Sequence, residues 1–345
     1  KAVEPAGVHG GGRRTVHGPF LGTDMPTVCL SRQVVVIGSA NLDLTVTVSR
    51  LPREGETVLG GELLLSNGGK GANQAVAALK AGAEVRLMAK IGRDPFGDRI
   101  CRDLVAAGLP AEGLLRDESA PTGVALIVVD RQGRNQIAVA PGSNQLLLPA
   151  AIEQYEPVLA YGTVMLVQLE IPIVTVERAL RFAKAHEMMT ILNPAPASPL
   201  SDDLLHHVDL LTPNETEAEA LTGIAVSDLP SVATAAKALL LRGPQAVIVT
   251  LGPRGAMLCT ASVVRHLPAV PVEVVDTTAA GDAFNGALAA ALAGKPRSDM
   301  LGTDRLRVLE DAVRFANAAG ALTTTKRGAQ ESLPTKADIE RLLIG

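Results

Sequence analysis

The chain has 345 residues, of which 47% are hydrophobic and 20% are charged, and these proportions are typical of a globular protein with an ample core. A net charge of −4 argues against nucleic acid as the main partner, and no apolar run reaches the roughly 18 residues that a membrane span needs. The cysteines (Cys29, Cys101 and Cys259) are odd in number and far apart, so they form neither a disulfide framework nor a zinc pattern, and we expect a soluble cytoplasmic protein.

Residues 1–33 differ in composition from the rest of the chain. They contain a GGGRR run at 10–14, three prolines and no apolar periodicity. We expect a disordered leader here. Import into an organelle through this segment stays open, because it carries arginines and few acidic residues. The folded and functional part is expected in residues 34–345.

A small β-sheet is predicted by segments in which apolar and polar residues alternate. Such alternation occurs in residues 42–48, 123–129 and 136–140. A period of two with one polar face is typical of a half-exposed strand rather than a central one. We therefore expect a small sheet, formed by strands near 42–66 and 123–140, that stands apart from the main core as a lid or a dimer surface.

The remaining elements alternate between strands and helices. Apolar runs predict strands at 34–37, 85–91, 164–169, 190–192, 208–211, 246–251 and 270–275. Helical periodicity predicts helices at 71–80, 96–107, 174–186, 215–221, 232–241, 280–293 and about 307–321. Repeated strand–helix units imply an α/β fold with a largely parallel central sheet and helices on both of its faces.

Polar residues interrupt the apolar pattern where the predicted strands end. They are Asn41, Asp43, Gln168, Glu170, Asn193, Asn214, Thr250 and Gly252. Ligands of such sheets bind at the carboxyl ends of the strands. One polar residue at a strand end means little, but this many in the same position predict a site.

Residues 68–73 read GGKGAN and open a predicted helix. Glycines let a ligand approach the backbone, and Lys70 and Asn73 are one helical turn apart, so both can reach it. A tight turn with a solvated lysine is an equally good interpretation of these residues alone. The segment is not a Walker A loop, because no Ser or Thr follows Lys70.

Two further segments lie at strand ends. Asn214 and Glu217 have the spacing of a helix capping box, which is the better interpretation, although two carboxylates at a helix start can also hold Mg²⁺ through water. The run TLGPRG at 250–255 is either a hairpin loop or part of a ligand loop.

The run DTTAAGDAFN at 276–285 follows a predicted strand and leads into a predicted helix. A helix N-terminus favours an anion, and Ala279, Ala280 and Gly281 leave room for one. Asp282 is either an ordinary first-turn residue or a carboxylate beside that anion. A carboxylate, an anion cradle, a glycine-rich pocket and an Mg²⁺ site are together what phosphoryl transfer to a hydroxyl needs.

Five motifs resemble those of ribokinases in the PfkB carbohydrate kinase family. In chain order they are GGKGANQA (68–75), NPAPA (193–197), TPNETEAE (212–219), TLGPRG (250–255) and DTTAAGDAFNGAL (276–288). The resemblance covers about residues 34–340. It implies a ribokinase-like three-layer sandwich with a small β-sheet lid, a homodimer formed through that lid, and phosphorylation of D-ribose at O5 by ATP.

The resemblance also implies roles for individual residues. Asp282 would be the catalytic base, and the ribose contacts would be Asn41, Asp43, Gly69, Lys70, Asn73 and Glu170. The ATP contacts would be Asn214, Thr250, Gly252, Gly255, Gly281 and Asn317. An anion hole would be formed by the backbone N–H groups of Ala279, Ala280, Gly281 and Asp282. Glu217 would organise Mg²⁺ through water. A monovalent cation, usually K⁺, would be held mostly by carbonyl oxygens at Asp276, Thr278, Thr323, Lys326, Gly328 and Ser332.

The chain departs from the common family pattern in two places. Ala279 stands where glycine is commoner, but a methyl group leaves the N–H free, so we expect the anion hole to survive. The connection at 295–305 is long, which leaves the adenine side of the site least defined. Three alternatives stay open: another PfkB kinase acting on deoxyribose, a ketohexose or a nucleoside; a non-catalytic sugar or nucleotide sensor; and a nicotinamide-dependent Rossmann enzyme, which the missing GxGxxG motif disfavours.

Overall fold

The computed structural model describes residues 33–295 and 304–344. Its strands are β1 (Gln33–Ile37), β2 (Asn41–Val48), β3 (Leu63–Gly68), β4 (Glu84–Gly92), β5 (Leu114–Asp117), β6 (Gly123–Asp130), β7 (Asn135–Ala140), β8 (Val164–Val167), β9 (Met189–Leu192), β10 (Leu210–Leu211), β11 (Ala246–Thr250), β12 (Ala256–Thr260) and β13 (Val264–Leu267). Its α-helices are α1 (Lys70–Lys80), α2 (Pro95–Ala106), α3 (Ala150–Leu159), α4 (Ile173–Ala185), α5 (Asp202–Leu205), α6 (Glu215–Thr222), α7 (Leu229–Leu240), α8 (Ala280–Leu292), α9 (Arg305–Thr323) and α10 (Lys336–Ile344).

Nine strands form the large sheet, in the order β13-β12-β11-β10-β9-β8-β1-β4-β5. The pairs from β11 across to β5 are parallel, whereas β12 and β13 add an antiparallel edge. The predicted α/β class with a mostly parallel central sheet is therefore confirmed. Parallel strands bring their carboxyl ends to one edge of the sheet, which is where the predicted polar residues stand.

Strand β1 shows why the fold has three layers. All five of its residues are buried, and their side chains alternate between two separate cores. Val34 and Val36 belong to the core that contains residues of α1, α8 and α9, whereas Val35 and Ile37 belong to the core with α3, α4 and α7. A strand that is buried on both sides requires helices on both faces of the sheet.

The small sheet has the order β3-β2-β6-β7 and is separate from the large one, as the alternating segments predicted. Strand β2 pairs antiparallel with β3 and parallel with β6. All of β7 and the first half of β3 are exposed, although several of their side chains are apolar. The small sheet thus leaves apolar surface uncovered in this chain.

The predicted strand at 270–275 is wrong. This segment has no ladder partner, and most of it is exposed. Pro271 has no N–H to donate, and the N–H groups of Val275 and Asp276 donate to the carbonyl of Thr324 at the end of α9 instead of to a strand. An apolar run is not a strand unless a neighbouring strand completes its hydrogen bonds.

Several elements were missed by the sequence prediction. These are β5, β12, β13, α3, α5 and α10. Strands β5 and β13 have only four residues each, and α3 contains Pro157, so none of these three has a long periodic signal.

Within the described residues, no helix combines the length and the apolar character that a membrane span requires. The expected leader, apart from Gln33, which begins β1, and most of the 295–305 connection lie outside the described residues.

Candidate active site

Asp282 stands in the first turn of α8 with 7% of its surface exposed. Each of its carboxylate oxygens accepts one amide hydrogen bond. Asn73 Nδ2 donates to Oδ2 at 3.0 Å, and Gln74 Nε2 donates to Oδ1 at 2.9 Å. Because Asn73 and Gln74 lie at the start of α1, the site is built where the first turns of two helices meet.

The absence of a side chain at Gly286 allows this meeting. A Cβ atom there would lie 2.5 Å from Ala77 Cβ and 2.6 Å from the carbonyl oxygen of Gln74. Helices α1 and α8 therefore approach more closely than any other residue at this position would permit. Gly71 plays the same part on the other side of α1, where a Cβ would lie 2.6 Å from the backbone of Gly38 and Ser39.

The residues predicted to contact the sugar lie together beside Asp282. Gly69 has φ +86°, and a Cβ there would lie 2.7 Å from the amide nitrogen of Asn41. Glu170 accepts hydrogen bonds from the hydroxyl of Ser39 and, at 3.0 Å, from the N–H of Lys70. These contacts bring the loop after β1, the start of α1 and the loop after β8 to one point.

The carboxylates of this region influence one another strongly. Burial, together with the charges of the nearby Glu170, Asp282 and Glu331, raises the pKa of Asp43 to about 7. Burial also lowers the pKa of Lys70, but the charges of Asp282, Glu170 and Glu217 outweigh this effect and the net pKa of Lys70 is raised. Lys70 is therefore a firmly charged cation among several acids.

A cleft of about 490 Å³ is lined in part by Asp282 and by Lys70. Its lining includes these residues of the predicted ATP site: Asn214, Thr250, Gly252, Ala279, Ala280, Gly281 and Asp282. Gly255 and Asn317, which were predicted with them, are not part of this lining. A Cβ at Gly255 would overlap the carbonyl of Leu267, and Asn317 Nδ2 donates to that same carbonyl at 3.0 Å. Their contacts within the protein are structural, and their role towards ATP stays a prediction.

The entry to α8 carries the features expected of an anion cradle. Helices leave the N–H groups of their first turn without partners inside the helix. Here the N–H of Ala280 makes a long hydrogen bond, of 3.3 Å, to the carbonyl of Thr277. A Cβ at Gly281 would meet nothing within 4 Å, so this residue borders open space. Ala279 has φ +59°, a left-handed conformation that glycine adopts more easily, which gives a physical reason for the commoner residue in the family pattern.

Asn214 and Glu217 form the capping box that their spacing predicted. The N–H of Glu217 donates to Asn214 Oδ1 at 2.8 Å, and the N–H of Asn214 donates to Glu217 Oε2 at 2.9 Å. Burial raises the pKa of Glu217, and the hydrogen bond from Asn214 and the charge of Lys70 act against that rise. Both residues also line the cleft, so the cap holds a carboxylate beside it.

Three of the residues predicted for the monovalent cation are joined by hydrogen bonds. Asp276 Oδ1 accepts from the N–H of Thr278 at 2.9 Å, and its Oδ2 accepts from the N–H of Gly328 at 3.0 Å. Thr323 and Ser332 are buried and donate their hydroxyls to main-chain carbonyls, while Lys326 lines a neighbouring cavity. Among the described residues, no group of three or more His, Cys, Asp or Glu is placed to hold a metal.

Sequence reasoning missed several residues that support the site. Asn144 is one, since its Nδ2 donates to Asn41 Oδ1 at 2.7 Å and its Oδ1 accepts from the N–H of Ala40 at 3.0 Å. Gln74 is another, although it follows Asn73 directly within the GGKGANQA motif. Nothing in the sequence alone indicates that these two amides contact site residues more than 100 positions away.

Comparison with known proteins extends these observations. Residues 31–336 match the family described as pfkB family carbohydrate kinase. The chain is 38% identical to the ribokinase of Haemophilus influenzae over 309 residues, which cover 90% of this chain and 97% of that protein. It is 36% identical to the deoxyribokinase of Salmonella typhi over 303 residues, which cover 88% and 95%. The structure of Arabidopsis thaliana ribokinase complexed with ribose and ATP matches with a TM-score of 0.82 at 30% identity, covering 91% of this chain and 99% of that one.

We predict that Gly281→Ala lowers the catalytic efficiency with a nucleotide without weakening the fold. The added methyl group meets no protein atom, and alanine favours a helix more than glycine does, so the free energy of unfolding should stay equal or rise slightly. The methyl group would enter the cleft, and kcat/KM for ATP should fall about tenfold or more. Gly286→Ala is the matched control: overpacking between α1 and α8 should cost about 1–3 kcal/mol of stability. Equal kinetics for wild type and Gly281→Ala would contradict the cleft assignment.

We also predict that Asp43 lowers stability as the pH rises. Its pKa is about 7 in the folded protein against 3.8 for the free group, so the unfolded chain loses the proton first between those values. From pH 4 to pH 8, Asp43→Asn should therefore gain about 1–2 kcal/mol relative to wild type in urea unfolding, allowing for partial exposure to solvent. Asp130→Asn in the same sheet should show no such gain over this range, because hydrogen bonds from Arg134 and Gln132 outweigh burial and lower the pKa of Asp130, so its titration lies below about pH 4 in both the folded and the unfolded chain. A difference for Asp43→Asn that does not change with pH would contradict this.

Proposed function

The chain belongs to the pfkB family of carbohydrate kinases, and we propose that it transfers the γ-phosphoryl group of ATP to O5 of D-ribose, giving D-ribose 5-phosphate and ADP. One observation supports this most directly. Asp282, at the N-terminus of α8, lines the cleft of predicted ATP contacts and also accepts a hydrogen bond from Asn73, one of the predicted sugar contacts. A base in this position serves both substrates of one displacement.

The proposed reaction needs one proton transfer and one displacement at phosphorus. Asp282 would accept the proton of the primary hydroxyl of the sugar. That oxygen would form a bond to the γ-phosphorus while the bond from phosphorus to the β–γ bridging oxygen breaks, and ADP would leave with the electron pair. The N–H groups at 279–282 and the charge of Lys70 would stabilise the negative charge of the transferred group.

Two metal ions complete the proposal. Glu217 would organise Mg²⁺ through water, and this ion neutralises phosphate charge when it is bound. The burial of Glu217 beside the cleft supports that role. A monovalent cation would lie near the hydrogen bond between Gly328 and Asp276, using these residues with Thr278, Thr323, Lys326 and Ser332. The bond between Asp276 and Gly328 supports a shared site, because it brings the segment before α8 next to the loop after α9.

The nearest alternative substrate is deoxyribose. The similarity to a deoxyribokinase, at 36% identity, is almost as high as that to a ribokinase at 38%. These two sugars differ only in the 2-hydroxyl group. Their kcat/KM ratio measures whether a protein group binds that hydroxyl, and the ribose proposal requires a clear preference for ribose.

We predict that Asp282→Asn lowers kcat by about 10²–10⁴-fold while ribose still binds, because the amide has nearly the same shape but cannot take the proton. Turnover of ribose, deoxyribose, fructose and adenosine should be measured with ATP, with and without K⁺, and binding should be measured by calorimetry. Unchanged turnover in Asp282→Asn would contradict its role as base. Much faster turnover of fructose or adenosine than of ribose would contradict the substrate assignment.

The small sheet is the proposed dimer surface. By the strand register, Leu64, Ile137 and Val139 lie on the same face as Asp43, and each is at least half exposed. A second copy of this sheet would cover that face. Ile137→Lys should weaken dimerisation at least about tenfold in sedimentation experiments, whereas Leu241→Lys on the distant end of α7 should not. A wild-type chain that is monomeric at micromolar concentration would contradict the proposal.

A further inference from the structure

Gln74 is the centre of a buried chain of amides that ends on Asp282. It has no exposed surface. Its Nε2 donates to Asp282 Oδ1 at 2.9 Å and to Asn193 Oδ1 at 3.0 Å, and its Oε1 accepts from Gln168 Nε2 at 2.6 Å. Both ends of this side-chain amide are therefore engaged inside the protein.

The other oxygen of Asp282 is served in the same manner. Asn73 Nδ2 donates to Oδ2, and Asn73 Oδ1 accepts from Gln330 Nε2 at 3.2 Å. Each carboxylate oxygen thus contacts the donor end of one amide, and a second glutamine occupies the acceptor end of that amide.

This arrangement fixes which way the amide of Gln74 points. An amide has a donor end and an acceptor end, and exchanging them would place an oxygen against the carboxylate. The donor of Gln168 occupies Gln74 Oε1, so Gln74 Nε2 is directed towards Asp282. Asn193 continues the same order, because it accepts from Gln74 and its own Nδ2 donates to the carbonyl of Thr212 at 3.1 Å.

The side chain of Gln168 donates a hydrogen bond to Gln74 Oε1. It is fully buried, and its Oε1 has no hydrogen-bond partner among the described residues, which costs stability. A Cβ at Gly38 would overlap Gln168 Oε1, so a glycine makes room for it. The contact that explains this buried glutamine is its donation to Gln74, because Gln74 in turn donates to the carboxylate of Asp282.

The amide donors of Asn73 and Gln74 affect the pKa of Asp282. Burial raises the pKa of Asp282, whereas Lys70 and the hydrogen bonds from Asn73 and Gln74 act to lower it. Glu170 raises it as well, and the carboxylates of Asp43 and Glu217 face the same region. The donors on its two oxygens therefore oppose burial and three neighbouring acids.

We propose that Gln74 is a positioning residue for Asp282, and that Gln168 acts through Gln74 by fixing the direction of its amide. This inference rests on the proposed function, in which Asp282 is the base. Because Gln74 is fully buried, it contacts neither substrate, and its effect is on the ionisation and aim of the carboxylate.

The test is the pH profile of Gln74→Met, which keeps the volume but removes both ends of the amide. On the acid side of the plot of kcat against pH, the midpoint (the acid limb) should move up by about one pH unit. At pH values below that midpoint, kcat should therefore fall about tenfold. KM for ribose and for ATP should stay within about twofold. Gln33→Met is the control for loss of a buried glutamine. Gln33 begins β1, whereas the site lies beyond the other end of that strand, so this variant should leave the pH profile unchanged. Thermal unfolding of each variant reports whether the fold is intact.

A double variant separates Gln168 from Gln74. If Gln168 acts only through Gln74, then Gln168→Met should shift the limb in the same direction, and Gln74→Met/Gln168→Met should be no worse than Gln74→Met alone. Additive effects would contradict this dependence. If Gln74→Met does not fold, Gln168→Met carries the test, because it leaves Gln74 in place.

The outcomes distinguish this inference from the proposed function. An unshifted limb in Gln74→Met, or a change in KM without a shift, would overturn the positioning role while Asp282→Asn remains inactive. Retained turnover in Asp282→Asn would instead overturn the role of Asp282 itself. If wild type prefers another sugar, the same profiles measured with that sugar still test Gln74.

Discussion

The close approach of α1 and α8 is the constraint on which the site depends. The bonds from Asn73 and Gln74 to Asp282 exist only because Gly286 lets the two helices come together. The composition favours such packing, since aromatic residues make up only 2% of the chain and the core around these helices is rich in alanine. Small side chains bring backbones close, and close backbones allow short amide side chains to span the gap.

This geometry concentrates negative charge where a stable fold would avoid it. Glu170 and Asp282 raise the pKa of Asp43, and Glu170 also raises the pKa of Asp282, with Lys70 as the cation among them. Buried like charges lower stability unless something binds or neutralises them. A site that is unfavourable when empty is favourable for a polar ligand whose hydroxyl groups can donate to those carboxylates, and a sugar has several such groups.

The parts of the site that depend on local order were predictable from sequence. The capping box of Asn214 and Glu217 follows from a spacing of three residues, and the place of Asp282 in a first helical turn follows from the helical pattern after it. The predicted strand at 270–275 was wrong because a strand depends on its neighbours. The role of Gln74 was not visible, because it depends on Asp282, a contact between residues 208 positions apart. Local propensity cannot report which distant side chain an amide will meet.

One loop connects the features that the sequence presented as separate motifs. Lys80, at the end of α1, donates to the carbonyls of Gln330 at 2.9 Å and Leu333 at 3.1 Å. Gln330 returns to the start of α1 by donating to Asn73, and Gly328 reaches the segment before α8 by donating to Asp276. The loop at 328–333 is thus attached to both ends of α1 and to the entry of α8. A cation bound at Asp276 and Gly328 would therefore contact the same loop that holds Asn73, and Asn73 in turn donates to the carboxylate of Asp282.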